Sequence, residues 1–95
     1  MEINESEMRR VRLFEVIGRV DSSNASELGQ QLDRTIDDGN TNLVLDLGSV
    51  EYMSSAGLRE MVRVLKRVKR TGGDLRIANP SDRVREVLEL AGLDT

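Results

Sequence analysis

Two adjacent serines, Ser54 and Ser55, stand in the stretch YMSSAGLREM (residues 52–61), where a strand-like apolar run gives way to a helical pattern. A hydroxyl at that boundary has three chemical uses. It caps the helix by accepting a hydrogen bond from a free backbone N–H, which contributes about 1 kcal/mol. It attacks an electrophile if a base lies within hydrogen-bond reach. Or it accepts a phosphoryl group, whose added charge the positive end of the helix partly offsets.

The nucleophile lacks a base. The chain has no histidine and no cysteine, which removes His-based triads, thiolates, disulfides and the usual zinc sites. Its only lysines, Lys66 and Lys69, lie roughly 15–20 Å along the helix from its start, too far to activate either serine. No spacing singles out an acid pair. Neither a G-x-x-x-x-G-K-[ST] loop nor a G-x-G-x-x-G is present, and Gly72-Gly73 suits a helix stop before a strand. The residues predict no enzyme and imply no cofactor or metal.

Composition narrows the partners. With 38% hydrophobic and 33% charged residues over 95 positions, the chain suits one folded domain. Aromatic residues make up 2%, Phe14 and Tyr52, so the core must be aliphatic and no platform exists for stacking on bases. A net charge of −3 argues further against a nucleic-acid partner. One basic cluster stands out, Arg59, Arg63, Lys66, Arg67, Lys69 and Arg70 against the single acid Glu60, and it suits the solvated face of a helix. No stretch approaches the roughly 18 apolar residues of a membrane span, and MEINESEMRR lacks the form of a signal peptide. A cytoplasmic location is expected, in keeping with the missing cysteines.

The elements that must hold the serines follow from periodicity. A short strand is expected around Met1–Asn4 and a longer one around Arg10–Val20, with the polar ESE stretch as the hairpin turn. Gly18 suits a bulge or a close backbone approach. Ala25, Leu28, Leu32 and Ile36 mark the apolar stripe of a first helix. Asn24 with Glu27 has capping-box spacing, with Ser23 an equal candidate for the cap, and Gly39 suits the stop. LVLDL (residues 43–47) has the continuous hydrophobicity of a central strand, followed by a loop over 48–54. The second helix carries Leu58, Met61, Val62, Leu65 and Val68. DLRIA (74–78) is a strand, Asn79-Pro80-Ser81 a turn, and Val84, Val87, Leu88 and Ala91 the stripe of a third helix, with Gly92 beyond it. The order ββαβαβα predicts an α/β domain, a mixed sheet of about four strands with three helices packed against it.

Three segments together resemble the STAS domain, and within it the bacterial anti-sigma-factor antagonists. GRVDSSNASEL resembles that family's Gly-x-x-Asp turn into the first helix. LVLDLGSVEYMSSAGL resembles its strand, loop and serine-bearing helix start. GGDLRIANPSDRVREVLELAGLD resembles its glycine stop, fourth strand and third helix. The resemblance covers residues 1–95 and implies a STAS domain without the family's last strand and helix. It also implies a partner switch. The unmodified protein binds an anti-sigma factor that is also a serine kinase of the GHKL ATPase type; phosphorylation weakens the complex, and a serine phosphatase resets it. By position the phosphoacceptor is Ser55, with Ser54 as a minor rival, and Asp21, Ser54, Ser55, Ala56 and Gly57 belong to the partner-binding surface. Gly57 is expected to keep that surface small, and Ser54 to be the cap. Two positions depart from many members, which carry aspartate at 54 and serine or threonine at 56. The alternative is a non-switching STAS scaffold in a signalling complex or lipid-transport system, where both serines only cap.

Overall fold

The computed structural model describes residues 1–90. The chain runs β1 (Glu2–Met8), β2 (Val11–Val20), α1 (Ala25–Asp37), β3 (Asn42–Met53), α2 (Ser55–Arg70), β4 (Asp74–Ala78) and α3 (Asp82–Leu90). The strands form one sheet in the order β1-β2-β3-β4. β1 lies antiparallel to β2, whereas β2–β3 and β3–β4 are parallel. This is the expected ββαβαβα domain with a mixed four-stranded sheet.

Alternation along the strands decides where the core sits. Phe14, Val16, Leu43, Leu45 and Leu75 point to one side and are buried in a single cluster with the helical stripes. Their neighbours Leu13, Glu15, Val44 and Asp46 point to the other side and are only half-buried. All four expected stripe residues of α1, Ala25, Leu28, Leu32 and Ile36, are in the core, as are Val84 and Leu88 of α3. The stripe position Ala91 and the stop at Gly92 lie outside the described residues.

Three expectations about local structure are corrected. The ESE stretch is not the hairpin turn: Glu5, Ser6 and Glu7 pair with Phe14, Leu13 and Arg12, and the two-residue turn is Arg9–Arg10. Both turn residues have positive φ, 51° and 70°, as a tight hairpin requires, although Asn-Gly is the usual sequence for it. Polar residues are tolerated in β1 because it is an exposed edge, where Arg12 pairs with Glu5 (2.7 Å) and Glu7 (3.4 Å). Next, residues 48–53 are strand and not loop. The β2–β3 register shifts between Glu15 and Ile17 and again between Gly18 and Arg19. Each shift inserts one extra β3 residue, so the buried positions step from Leu47 to Val50 to Met53. The bulges break the period of two by which a strand is recognised. Gly18, opposite them, takes a φ of 99° that suits glycine alone. Finally, α2 is rotated from its expected stripe. Gly57, Met61, Val64 and Val68 are buried, Leu58 and Leu65 flank them, and Val62 is left at the margin.

The basic cluster is not simply a solvated face. Arg63 donates to Asp33 (2.8 Å) and Glu60 (2.9 Å), while Arg67 reaches Asp33 (2.9 Å) and Asp37, locking α2 to α1. Lys69 pairs with Asp74 (3.0 Å). The Arg63 bond, ahead of that from Arg67, holds the Asp33 carboxyl below its ordinary value. Since the folded-state pKa is the lower one, this contribution is full above about pH 4 and is lost as pH falls through the folded value. Both side chains are partly exposed, 25% for Asp33 and 47% for Arg63, so its size is at most about 1 kcal/mol. Asp33→Asn is expected to flatten that part of the acid-unfolding profile, measured by urea titration at pH steps between about 5 and 2.

Candidate functional site at the start of the second helix

The site forms where two parallel strands end side by side. Val20 of β2 pairs with Met53 of β3, and the next backbone link, Ser54 N–H to Val20 O at 2.8 Å, ties the two exits together. Asp21 and Ser54 therefore leave the sheet next to each other at its carboxyl-terminal rim, where α/β folds place their ligands.

Ser54 is the cap. Its φ and ψ are extended (−82°, 169°) and its Oγ accepts from the Gly57 N–H at 3.3 Å. Its carbonyl accepts the first helical bond, from Leu58 N–H at 3.1 Å. Ser55 is the first helical residue, and it is exposed. The structure thus separates the two hydroxyls, one bonded into the helix start and one facing solvent. Ser54→Ala is expected to destabilise the fold by about 1 kcal/mol, and Ser55→Ala by less than about 0.5 kcal/mol. Urea unfolding of the two variants checks the order.

Asp21 organises the turn before α1. Its Oδ1 accepts from the Ser23 hydroxyl (2.6 Å) and the Ser23 N–H (2.9 Å), and its carbonyl accepts from Asn24 and Ala25 N–H. The Ser23 hydroxyl, then its N–H, hold the Asp21 carboxyl below the ordinary range. The expected capping box at Asn24 does not form. Asn24 precedes α1, but its side chain turns back: Oδ1 accepts from Asp21 N–H (2.9 Å) and Nδ2 donates to Arg19 O (2.9 Å). Nor does Ser23 cap the helix, because its hydroxyl serves Asp21. These bonds fix the Asp21 turn against β2.

Gly57 is buried rather than part of the exposed surface. A Cβ there would run into Met53 Sδ and Val20 Cγ1, so glycine lets the first turn of α2 lie directly on the strand ends. Ala56 is half-buried and forms part of the wall of a shallow groove of about 290 Å³ between the starts of α1 and α2. Ser22, Ala25 and Ser26 line one side, and Arg59, Glu60 and Arg63 join Ala56 on the other. Sequence reasoning missed Ser22, Ser26 and Arg59 as groove residues, because the groove exists only once two helices distant in sequence are packed together. It also missed Arg19, whose guanidinium sits 4.6 Å from the centre of the Tyr52 ring on the same rim. Tyr52, one of two aromatic residues, is 38% exposed.

The rim thus offers an exposed hydroxyl, a fixed acidic turn and a groove with small residues on one wall and charged residues on the other. An exposed corner of this kind suits recognition by another protein. Among the described residues no helix is long and apolar enough to cross a membrane.

Comparison with known proteins fits this geometry. The chain is 41% identical over 75 residues to BtrV of Bordetella bronchiseptica, a protein named for an assigned role as an anti-sigma factor antagonist. That alignment takes in 79% of this chain and 65% of the relative, so the chain spans just under two thirds of its length. It is 33% identical over 78 residues to the anti-sigma-B factor antagonist of Bacillus subtilis, covering 82% of this chain and 71% of that protein. A Thermotoga maritima crystal structure with the same assigned role as BtrV superposes with a TM-score of 0.91 at 25% identity, over 97% of this chain and 80% of the other. The family model described as STAS domain matches residues 2–95, and the chain belongs to the STAS domain family.

Proposed function

We propose that this chain is an anti-sigma factor antagonist that works as a partner switch, a STAS domain over residues 1–95 acting in the cytoplasm. The observation that carries this reading is the division of labour between the serines: Ser54 is spent on the cap, and Ser55 is left exposed at the same corner. The regulatory names of the relatives point the same way.

In its unmodified form the protein binds an anti-sigma factor that is also a GHKL-type ATPase and serine kinase. Asp21, Ser54, Ser55 and Ala56 meet that partner, and Gly57 acts from beneath by seating the helix on the sheet. The Ser55 hydroxyl then attacks the γ-phosphorus of ATP. A bond forms between Oγ and phosphorus as the bond to the leaving ADP oxygen breaks, and the hydroxyl proton passes to a base on the kinase. The product carries about −1.5 to −2 of added charge at the contact surface, and the complex dissociates. A serine phosphatase restores the hydroxyl.

The test is complex formation with the purified anti-sigma factor, followed by size-exclusion chromatography. The unmodified chain is expected to co-elute, and the chain carrying phosphoserine at 55 to elute alone. Co-elution of both forms would leave the domain a non-switching scaffold.

A further inference from the structure

The residue that answers a charge on Ser55 is one the partner switch itself does not name. Ser55 and Arg59 are four residues apart on α2, hence neighbours on one helix face. Side chains on a helix lean toward its N-terminus, so the turn that carries Ser55 lies within the sweep of the Arg59 side chain. Both residues are exposed. Arg63 and Arg67, further along the helix, are bound to Asp33, Asp37 and Glu60. Among the described residues Arg59 makes no ion pair, and it borders the groove beside Ala56. We propose that Arg59 is the intramolecular counter-ion of a phosphoserine at position 55.

The other charged groups of this corner act against it or are already engaged. Asp21 is bonded to Ser23, Glu51 stands exposed near the end of β3, and Glu60 is held by Arg63 at 2.8 Å. On the facing side of the groove, Ser22, Ala25 and Ser26 carry no charge. On α2, Lys66 lies on the same side as Ser55 but about 16 Å along the axis. Arg19, the other cation of this rim, lies over the Tyr52 ring at 4.6 Å on the strand side, so Arg59 is the cation that shares a helix face with Ser55. By pairing with the phosphate it lowers the second ionisation of the group, which is ordinarily about 6, and extends the doubly charged form to slightly lower pH. It also draws Arg59 off the groove wall, so one modification changes both the charge at Ser55 and the rim beside it.

This inference rests on Ser55 as the modified residue, and its test is independent of any kinase. Phosphoserine is encoded at position 55 during synthesis, and its phosphorus resonance is titrated by NMR between pH 4 and 9. The second pKa is expected to rise by about 0.3 unit in Arg59→Gln relative to the otherwise unaltered phosphoprotein. Arg59→Lys should restore most of the difference, Lys66→Gln should give less than a third of it, and 1 M salt should largely remove it. Coincident titrations with and without Arg59, or an equal shift from Lys66→Gln, would overturn the proposal. Neither result would touch the separate question of whether a kinase chooses Ser55.

Discussion

Ser55→Asp is expected to weaken binding to the anti-sigma factor by about a hundredfold while leaving the circular dichroism spectrum unchanged. The two halves of that expectation have different origins. The fold is spared because Ser55 is exposed and the cap hydrogen bond belongs to Ser54. An acid in the first helical turn is also well placed against the helix dipole. Binding suffers because the same exposed position is a contact in the proposed complex. A charge forced against a desolvated surface costs a few kcal/mol, and about 2.7 kcal/mol is a factor of a hundred. Isothermal titration with the purified partner measures the affinity. An affinity equal to wild type would show that charge at this position does not operate a switch.

The largest expected effect on stability lies elsewhere. Phe14→Ala should destabilise the domain by about 3–5 kcal/mol. Phe14 is fully buried at the middle of β2, in register with Leu45 of β3 and beneath the helical layer. With so few aromatic residues, no neighbouring ring can swing in to fill the space. A domain of this length has a total stability of about 5–14 kcal/mol, so the variant would lose a large share of it. Urea unfolding followed by circular dichroism gives the number. A loss below about 1.5 kcal/mol would mean that the aliphatic core collapses around the missing ring.

These two positions also mark what a reader of the sequence can see. The α1 stripe and the short strand 74–78 were legible, because periodicity of 3.6 or a compact branched run survives in the linear chain. Ser54 as cap was legible for the same local reason. The Arg9–Arg10 turn was not, since neither residue announces a positive φ. The second half of β3 was hidden by its own bulges, which space Leu47, Val50 and Met53 by threes. In α2 the error was one of rotation, with Val64 taking the place expected for Val62 once Gly57 seats the helix on Val20 and Met53. Groove and ion pairs are a different kind of miss. Arg63 and Asp33 lie thirty residues apart, and nothing in either segment names the other.

At the candidate site, therefore, the sequence revealed the serines and the acidic turn, and the fold revealed what surrounds them. Asn24 illustrates the difference. Its spacing to Glu27 matches a helix cap, yet its side chain spans Arg19 and Asp21 to stiffen the turn beside Ser54. A residue chosen for the turn looks the same in sequence as one chosen for the helix.

The most direct test of the switch is the position of the phosphate. The wild-type chain is incubated with its kinase partner and ATP, and the product is mapped by tandem mass spectrometry. A single phosphate on Ser55, absent from Ser55→Ala, is the predicted result. Phosphate on Ser54 or elsewhere, or none despite a stable complex, would contradict the account.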